Sequence, residues 1–243
     1  VKALLTHTRT ELVLNLRNGE QLLVSLVIPL LLLGFFSSVE VLPLPEGVSD
    51  AVDFLTPGIL ALAVMSSAMV SLGISTGFER QYGVLKRLGA TPLGRGRWVA
   101  AKILMVLALL VIQVVAIVAL ALALGWSTDA RAGLALIGIV LGALAFGGLG
   151  LLLAGTLKGT VNLAVTNGLY LVLLLAGGMI IPLDDLPGPM ASVGELLPAG
   201  ALSAVLQASL REGAPPAGGA WLVLAVWAVA MPVVASRVFR WEP

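Results

Sequence analysis

The 243-residue chain is 59% apolar and only 11% charged, whereas an ordinary soluble domain carries roughly a quarter charged residues. So few charges cannot build solvated faces around a core of this size, which excludes a water-soluble fold and leaves lipid as the solvent. The absence of cysteine excludes disulfides and thiolate metal sites, and the net charge of +1 becomes informative only once its distribution is read.

The first 21 residues are polar, with no cleavable leader pattern in front of the first apolar run. Leu5, Leu12 and Leu16 share one helical stripe, with Arg9 at its edge and Lys2 and Arg17 nearby, so an amphipathic helix lying on the membrane surface is expected over 1–21. Six uncharged stretches follow, at about 22–39, 54–78, 103–124, 132–155, 161–181 and 220–236, forming one transmembrane domain over 22–243. Each is long enough to cross roughly 30 Å of hydrocarbon at 1.5 Å per residue. Their unbroken Leu, Ala and Val runs read as helices, not as the short alternating strands of an outer-membrane barrel. Pro232 interrupts the last stretch and is expected to kink it.

The basic residues fix an orientation. Placing the N-terminus inside puts Lys2, Arg9, Arg17, Arg80, Lys86, Arg87, Arg95, Arg97, Lys102, Lys158, Arg237 and Arg240 on the inner side, and only Arg131 and Arg211 on the outer side. Such a bias predicts a multi-pass protein with both termini in the cytoplasm. Two connections exceed simple turns: an inner one over 79–102 and an outer one over 182–219.

Several chemistries are missing. No phosphate-binding loop occurs, so ATP and magnesium are not expected to bind this chain. His7, the single histidine, lies in the polar N-terminal stretch and reads as a solvated residue; neither a histidine metal site nor a catalytic triad is expected. The six stretches hold no Asp, Glu, Lys, Arg or His, unlike the spans of proton- or ion-coupled transporters. The energy for moving anything must therefore come from elsewhere.

One inner segment carries the functional signal. Phe78, Glu79, Arg80, Gln81, Tyr82, Gly83, Val84, Leu85, Lys86, Arg87, Leu88 and Gly89 run on to Thr91, Pro92 and Leu93. Read as a single helix, this segment puts Phe78, Tyr82 and Leu85 on one stripe and Arg80 and Arg87 on another face. Gly89 and Pro92 supply a stop. Patterning alone leaves two readings: a helix that docks into a groove on a soluble partner, or a solvated loop.

The segment resembles the cytoplasmic coupling region of ATP-binding-cassette exporter permeases of the daunorubicin-resistance and polysaccharide-export (type-two) family. That family's F-E-R-E-x-G-x-L-x-x-L-x-x-x-P pattern is matched at Phe78, Glu79, Arg80, Gly83, Leu85, Leu88 and Pro92, and departs at Gln81. Arg17-Asn18-Gly19-Glu20 leading to Pro29-Leu30 resembles the family's entry into its first span. Gly177 to Leu183, then Leu186-Pro187 and Leu197-Pro198, resembles its fifth span and the outer re-entrant hairpin before the sixth.

The resemblance implies an all-α membrane protein of six spans, with an N-terminal amphipathic helix and a cytoplasmic coupling helix. It implies one permease half working with a second, identical or different, and with two ABC ATPase subunits that bind ATP and magnesium. Phe78, Glu79, Arg80, Tyr82, Gly83, Leu85, Lys86, Arg87 and Leu88 would form the ATPase coupling site, with Glu79 and Arg80 holding the joint to the span. Pro182, Leu186, Pro187, Leu197 and Pro198 would shape an outer gate. Ser67, Ser71, Asn162, Thr166 and Asn167 are candidates to line the route of a drug, lipid or glycolipid leaving a bacterial inner membrane. As polar groups within spans, each of them reads more readily as interhelical glue than as a substrate contact. Membrane lipid, and no nucleic acid, completes the expected partners. Two other functions compete: a non-transporting scaffold or assembly subunit, and a lipid-modifying membrane enzyme, which would need carboxylate or histidine clusters that the sequence lacks. The pairs Gly73/Gly77 and Gly138/Gly142 are expected to serve packing within the chain.

Overall fold

The computed structural model describes residues 2–19, 23–39, 50–89, 94–127, 131–179, 183, 186–211 and 213–241, and these are helical or in short connections, with no strand among them. The helices are α1 (Lys2–Arg17), α2 (Leu23–Val27 continued by Ile28–Ser38), α3 (Ala51–Gln81), α4 (Val84–Gly89), α5 (Gly94–Ala123), α6 (Ala132–Thr156), α7 (Gly159–Ala176), α8 (Gly188–Leu196), α9 (Pro198–Leu210) and α10 (Ala220–Val238).

Five helices, α3, α5, α6, α7 and α10, are long and apolar enough to cross a membrane. The pair α8–α9 passes the same test only as a broken span, bent by 83°. The described part of the first expected span is shorter than the others. The expected stretches 54–78, 132–155 and 220–236 sit inside α3, α6 and α10, whereas 161–181 runs past the end of α7 at Ala176, and several helices outrun the stretches they contain. α3 continues through Glu79, Arg80 and Gln81, and α5 begins at Gly94, well before the apolar run at Ile103. Charge ends a stretch of hydropathy without ending a helix, since Glu, Arg, Lys and Gln are all good helix formers. The long inner connection expected over 79–102 is therefore mostly helix.

α3 is the hub. It packs against α2, α5, α6, α7 and α9 and is buried over nearly its whole length. Its sequence explains this: Ser66, Ser67, Ala68, Ser71, Gly73, Thr76 and Gly77 are small and let neighbouring backbones approach, which drives helix packing where lipid removes any hydrophobic incentive. A Cβ on Gly73 would stand 3.0 Å from Gly150 Cα of α6, and one on Gly77 would collide with Asn162 of α7. Gly138 and Gly142 face Val205 and Leu202 of α9. All four glycines thus serve packing inside the chain, as expected. Pro232 sits within α10 against Gly148 of α6, where an added Cβ would lie 2.5 Å from the proline nitrogen.

α1 corrects one expectation. It lies along α5, and the face it turns inward carries His7, Glu11 and Asn15 at four-residue spacing, while Leu5 is exposed. His7 is accordingly not a solvated residue; its Nε2 lies 3.5 Å from Glu11 Oε1.

The hairpin expected before the last span holds α8 and α9. Pro198, at the first position of α9, starts a new helix after Leu197. α8 is largely exposed, whereas Ala199, Ala201, Leu202, Val205 and Leu206 of α9 are fully buried. Trp227 Nε1 donates to the Leu196 carbonyl at 2.9 Å. Trp227 lies seven residues into α10, so the bend sits about 10 Å along that helix from its start. Ser203 Oγ donates to the Gly178 carbonyl and Gln207 Nε2 to the Phe54 carbonyl, tying α9 to the ends of α7 and α3. Leu186 and Pro187 lead into α8; Pro182 lies outside the described residues.

Candidate functional site: a polar joint at the basic end of the bundle

The end of α3 shows how the sequence makes a joint. Tyr82 N–H donates to the Phe78 carbonyl and Gly83 N–H to the Arg80 carbonyl, closing the helix. Gly83 then takes φ +70°, a left-handed conformation that glycine adopts without a side-chain clash. The chain turns and α4 begins at Val84. The single helix expected through Phe78–Leu88 is thus broken, and its faces separate. Tyr82, stacked on Phe78 with centroids 6.1 Å apart, stays outside and is 67% exposed. Leu85 turns inward and is fully buried against Trp98, in a cluster with Leu88, Phe239 and Trp241. Val84, Lys86 and Arg87 remain exposed. The described part of this corner therefore shows a small apolar and basic face backed by an aromatic floor. Pro92 lies outside the described residues.

Behind that face, two polar knots fasten the corner. Lys102, fully buried near the start of α5, donates from Nζ to Glu79 Oε1 at 2.5 Å and to Glu11 Oε2 at 2.7 Å. One ammonium thereby joins α1, α3 and α5. It also lies 5.7 Å from the Trp98 ring centroid, within cation–π range. Burying an ion costs several kcal/mol unless opposite charge and hydrogen bonds repay it, and here two carboxylates do so.

The second knot is Arg80, 4% exposed, whose Nη1 and Nη2 donate to the carbonyls of Gly155 and Leu157 at 2.7 and 2.5 Å. The last carbonyls of a helix have no partner within it, and a cation there also opposes the negative end of the dipole. Arg80 thus caps α6 with a planar fork of donors that a lysine cannot reproduce. Adjacent residues at the end of α3 therefore grip different helices. Gly155 takes part again through its carbonyl, which accepts from Arg240 N–H at 3.1 Å.

Of the candidate pathway residues, Ser67 and Asn162 form interhelical bonds, and Thr166 bonds Asn162 within α7. Ser67 Oγ donates to Gln113 Oε1 at 2.8 Å, and Gln113 Nε2 donates to the Ser25 carbonyl at 2.7 Å, linking α3, α5 and α2. Asn162 Nδ2 donates to the Gly73 carbonyl at 2.9 Å, and Thr166 Oγ1 to Asn162 Oδ1 at 3.2 Å. Ser67, Ser71, Asn162 and Thr166 are buried; Asn167 is exposed on α7.

Reading the sequence alone missed Glu11, Lys102 and the carbonyls of Gly155 and Leu157 as members of the joint. No local pattern connects them: Lys102 is 91 residues from Glu11 and Arg80 is 75 from Gly155. No cluster of His, Cys, Asp or Glu suited to a metal occurs among the described residues.

A family model described as "ABC-2 type transporter" matches residues 2–207. The chain is also 29% identical over 205 residues to the "Putative transport permease YvfS" of Bacillus subtilis (strain 168), the match covering 82% of each chain.

Proposed function

Because the chain belongs to the ABC-2 type transporter family and is the membrane-spanning permease component of such a transporter, we propose that it is one permease half of an ATP-driven exporter. It carries a hydrophobic or amphipathic substrate, a drug, lipid or glycolipid, outward across a bacterial inner membrane. Two partner ATPases bind ATP and magnesium and hydrolyse the nucleotide, and a second permease half completes the path. Both termini lie on the cytoplasmic side with the basic residues.

The observation that carries this reading is the corner at α3–α4: an exposed Tyr82, Val84, Lys86, Arg87 face mounted on two buried polar knots. In this reading the ATPase docks on that face and on α1. Closure of the ATPase pair displaces α4. Leu85 passes the displacement to Trp98, Glu79 passes it through Lys102 to α1 and α5, and Arg80 passes it to the end of α6. A rigid element tied at several points moves its attached helices together, which is what a two-state transporter requires.

Asn167 faces the second permease half and the substrate route, while Ser67, Ser71, Asn162 and Thr166 hold the helices forming that wall. The α8–α9 hairpin, with Leu186, Pro187, Leu197 and Pro198 at its bends, closes the outer mouth.

The test is to tag the chain in its native host, purify it in mild detergent, and reconstitute what accompanies it. An ATP-hydrolysing subunit should co-purify and its activity should rise with transported substrate. Recovery of the chain without any ATPase, from cells grown under conditions where export is active, would overturn the reading.

A further inference from the structure

The coupling corner leaves one feature unused. An apolar cavity of about 400 Å³ lies between α5, α6 and α10, lined by Trp98, Ile103, Leu144, Gly148, Phe239 and Trp241 among others, within the roughly 300–1,000 Å³ of ligand clefts. It is not sealed inside the bundle, because exposed Val140 and Ser236 form part of its wall. Gly147 and Gly148 of α6 form part of its wall. In a bilayer, such a groove faces acyl chains.

Its wall is polarised. Trp98, Phe239 and Trp241 gather at one end, with ring centroids 5.2 to 6.1 Å apart. Tryptophans prefer the headgroup level, where one edge of the ring is wet. Trp98 is 1% exposed, yet its Nε1–H finds no acceptor among the described residues. Buried donors are rarely left orphaned, so an oxygen other than those of the described residues is the expected partner. Arg237 and Arg240 flank the same end in sequence, both exposed and neither paired with a carboxylate among the described residues. Basic groups beside a groove between helices at this level favour an anionic headgroup.

We propose that the α5–α6–α10 groove is a binding site for an anionic phospholipid of the leaflet at the basic end, one acyl chain filling the cavity and the headgroup held by Arg237 and Arg240. Trp98 donates to an oxygen of the headgroup–glycerol region. The lipid thereby buttresses the aromatic floor on which Leu85 rests. The site needs no ATPase or transported substrate, so it stands or falls separately from the transport reading.

Tryptophan quenching tests it. The full chain is reconstituted in phosphatidylcholine vesicles holding a small fraction of dibrominated phosphatidylglycerol or, in a matched series, dibrominated phosphatidylcholine. Each basic side chain near an anionic headgroup is worth roughly fivefold in affinity, so with two arginines half-quenching should need about 25-fold less of the anionic lipid. R237Q/R240Q, which alters only exposed side chains, should bring the two lipids level, and W98F/W241F should abolish the anionic-specific component. Equal quenching by both lipids in the unaltered chain would mean bulk lipid without recognition. No quenching by either would mean that protein covers the groove. Either result overturns the proposal, as does an anionic preference that survives R237Q/R240Q.

Discussion

Replacing Lys102 by methionine is the sharpest perturbation of the corner. Methionine fits the aliphatic volume but leaves Glu11 and Glu79 facing each other in a buried site with no cation between them. Removing one partner of a buried ion pair costs about 3–5 kcal/mol, because the remaining charge stays desolvated. For a chain of this length each kcal/mol is worth about 2–4 °C in Tm, so Lys102→Met should lower the midpoint by about 6–20 °C. Thiol-reactive dyes cannot report this, as the chain has no cysteine; intrinsic tryptophan emission or fluorescence-detected gel filtration can. The triple variant Glu11→Gln, Glu79→Gln, Lys102→Met removes all three charges and should recover most of the loss, since a buried triad is often no more stable than neutral side chains of similar volume. A Lys102→Met midpoint within 2 °C of the unaltered chain, or a triple variant as unstable as the single one, would refute the reasoning.

Other outcomes follow from the same geometry. Arg80→Ala strands two carbonyls at the end of α6, each worth about 1.5–3 kcal/mol to a charged donor; Arg80→Lys should recover no more than half of the lost stability in the same melting assay. Asn162→Leu should cost about 0.6–2 kcal/mol and loosen α7 from α3, measurable as earlier unfolding in detergent. Tyr82→Ala with Lys86→Ala and Arg87→Ala touches only exposed groups, so Tm should hold within about 2 °C, the equivalent of roughly 0.5 kcal/mol, while ATPase co-purification falls at least tenfold.

Acid should also act on α1. Burial lowers the His7 pKa, Glu11 opposes that shift and Lys102 adds to it. A base whose folded pKa is depressed contributes stability that is complete above its unfolded value near 6.5 and is lost as pH falls through the folded value. Protease nicking of α1 should therefore rise between pH 7 and pH 5, and less so in His7→Gln.

How much of this could be read from the sequence depends on which force shapes each part. The apolar stretches were visible because exclusion from water acts on composition alone. Their ends were not: Glu79, Arg80 and Lys102 look like loop charges, yet they sit inside helices because α-helices tolerate them and buried partners neutralise them. The packing role of Gly73, Gly77, Gly138 and Gly142 was legible from spacing, though their neighbours were not. In sequence Gly83 fits one continuous helix; its positive φ instead divides Tyr82 from Leu85, turning one expected stripe into an outer face and an inner anchor. The Glu11–Lys102–Glu79 triad joins residues far apart in the chain, and no local periodicity encodes such a meeting.

The central claim is that Tyr82 to Arg87 is the surface on which the motor pushes. A photo-crosslinking amino acid placed at position 82 or 87 in the otherwise unaltered chain tests this directly in native membranes. Illumination should join the chain to a nucleotide-hydrolysing subunit, with a yield that changes when ATP is added. Crosslinks from these positions only to lipid, or only to proteins on the outer side of the membrane, would contradict it.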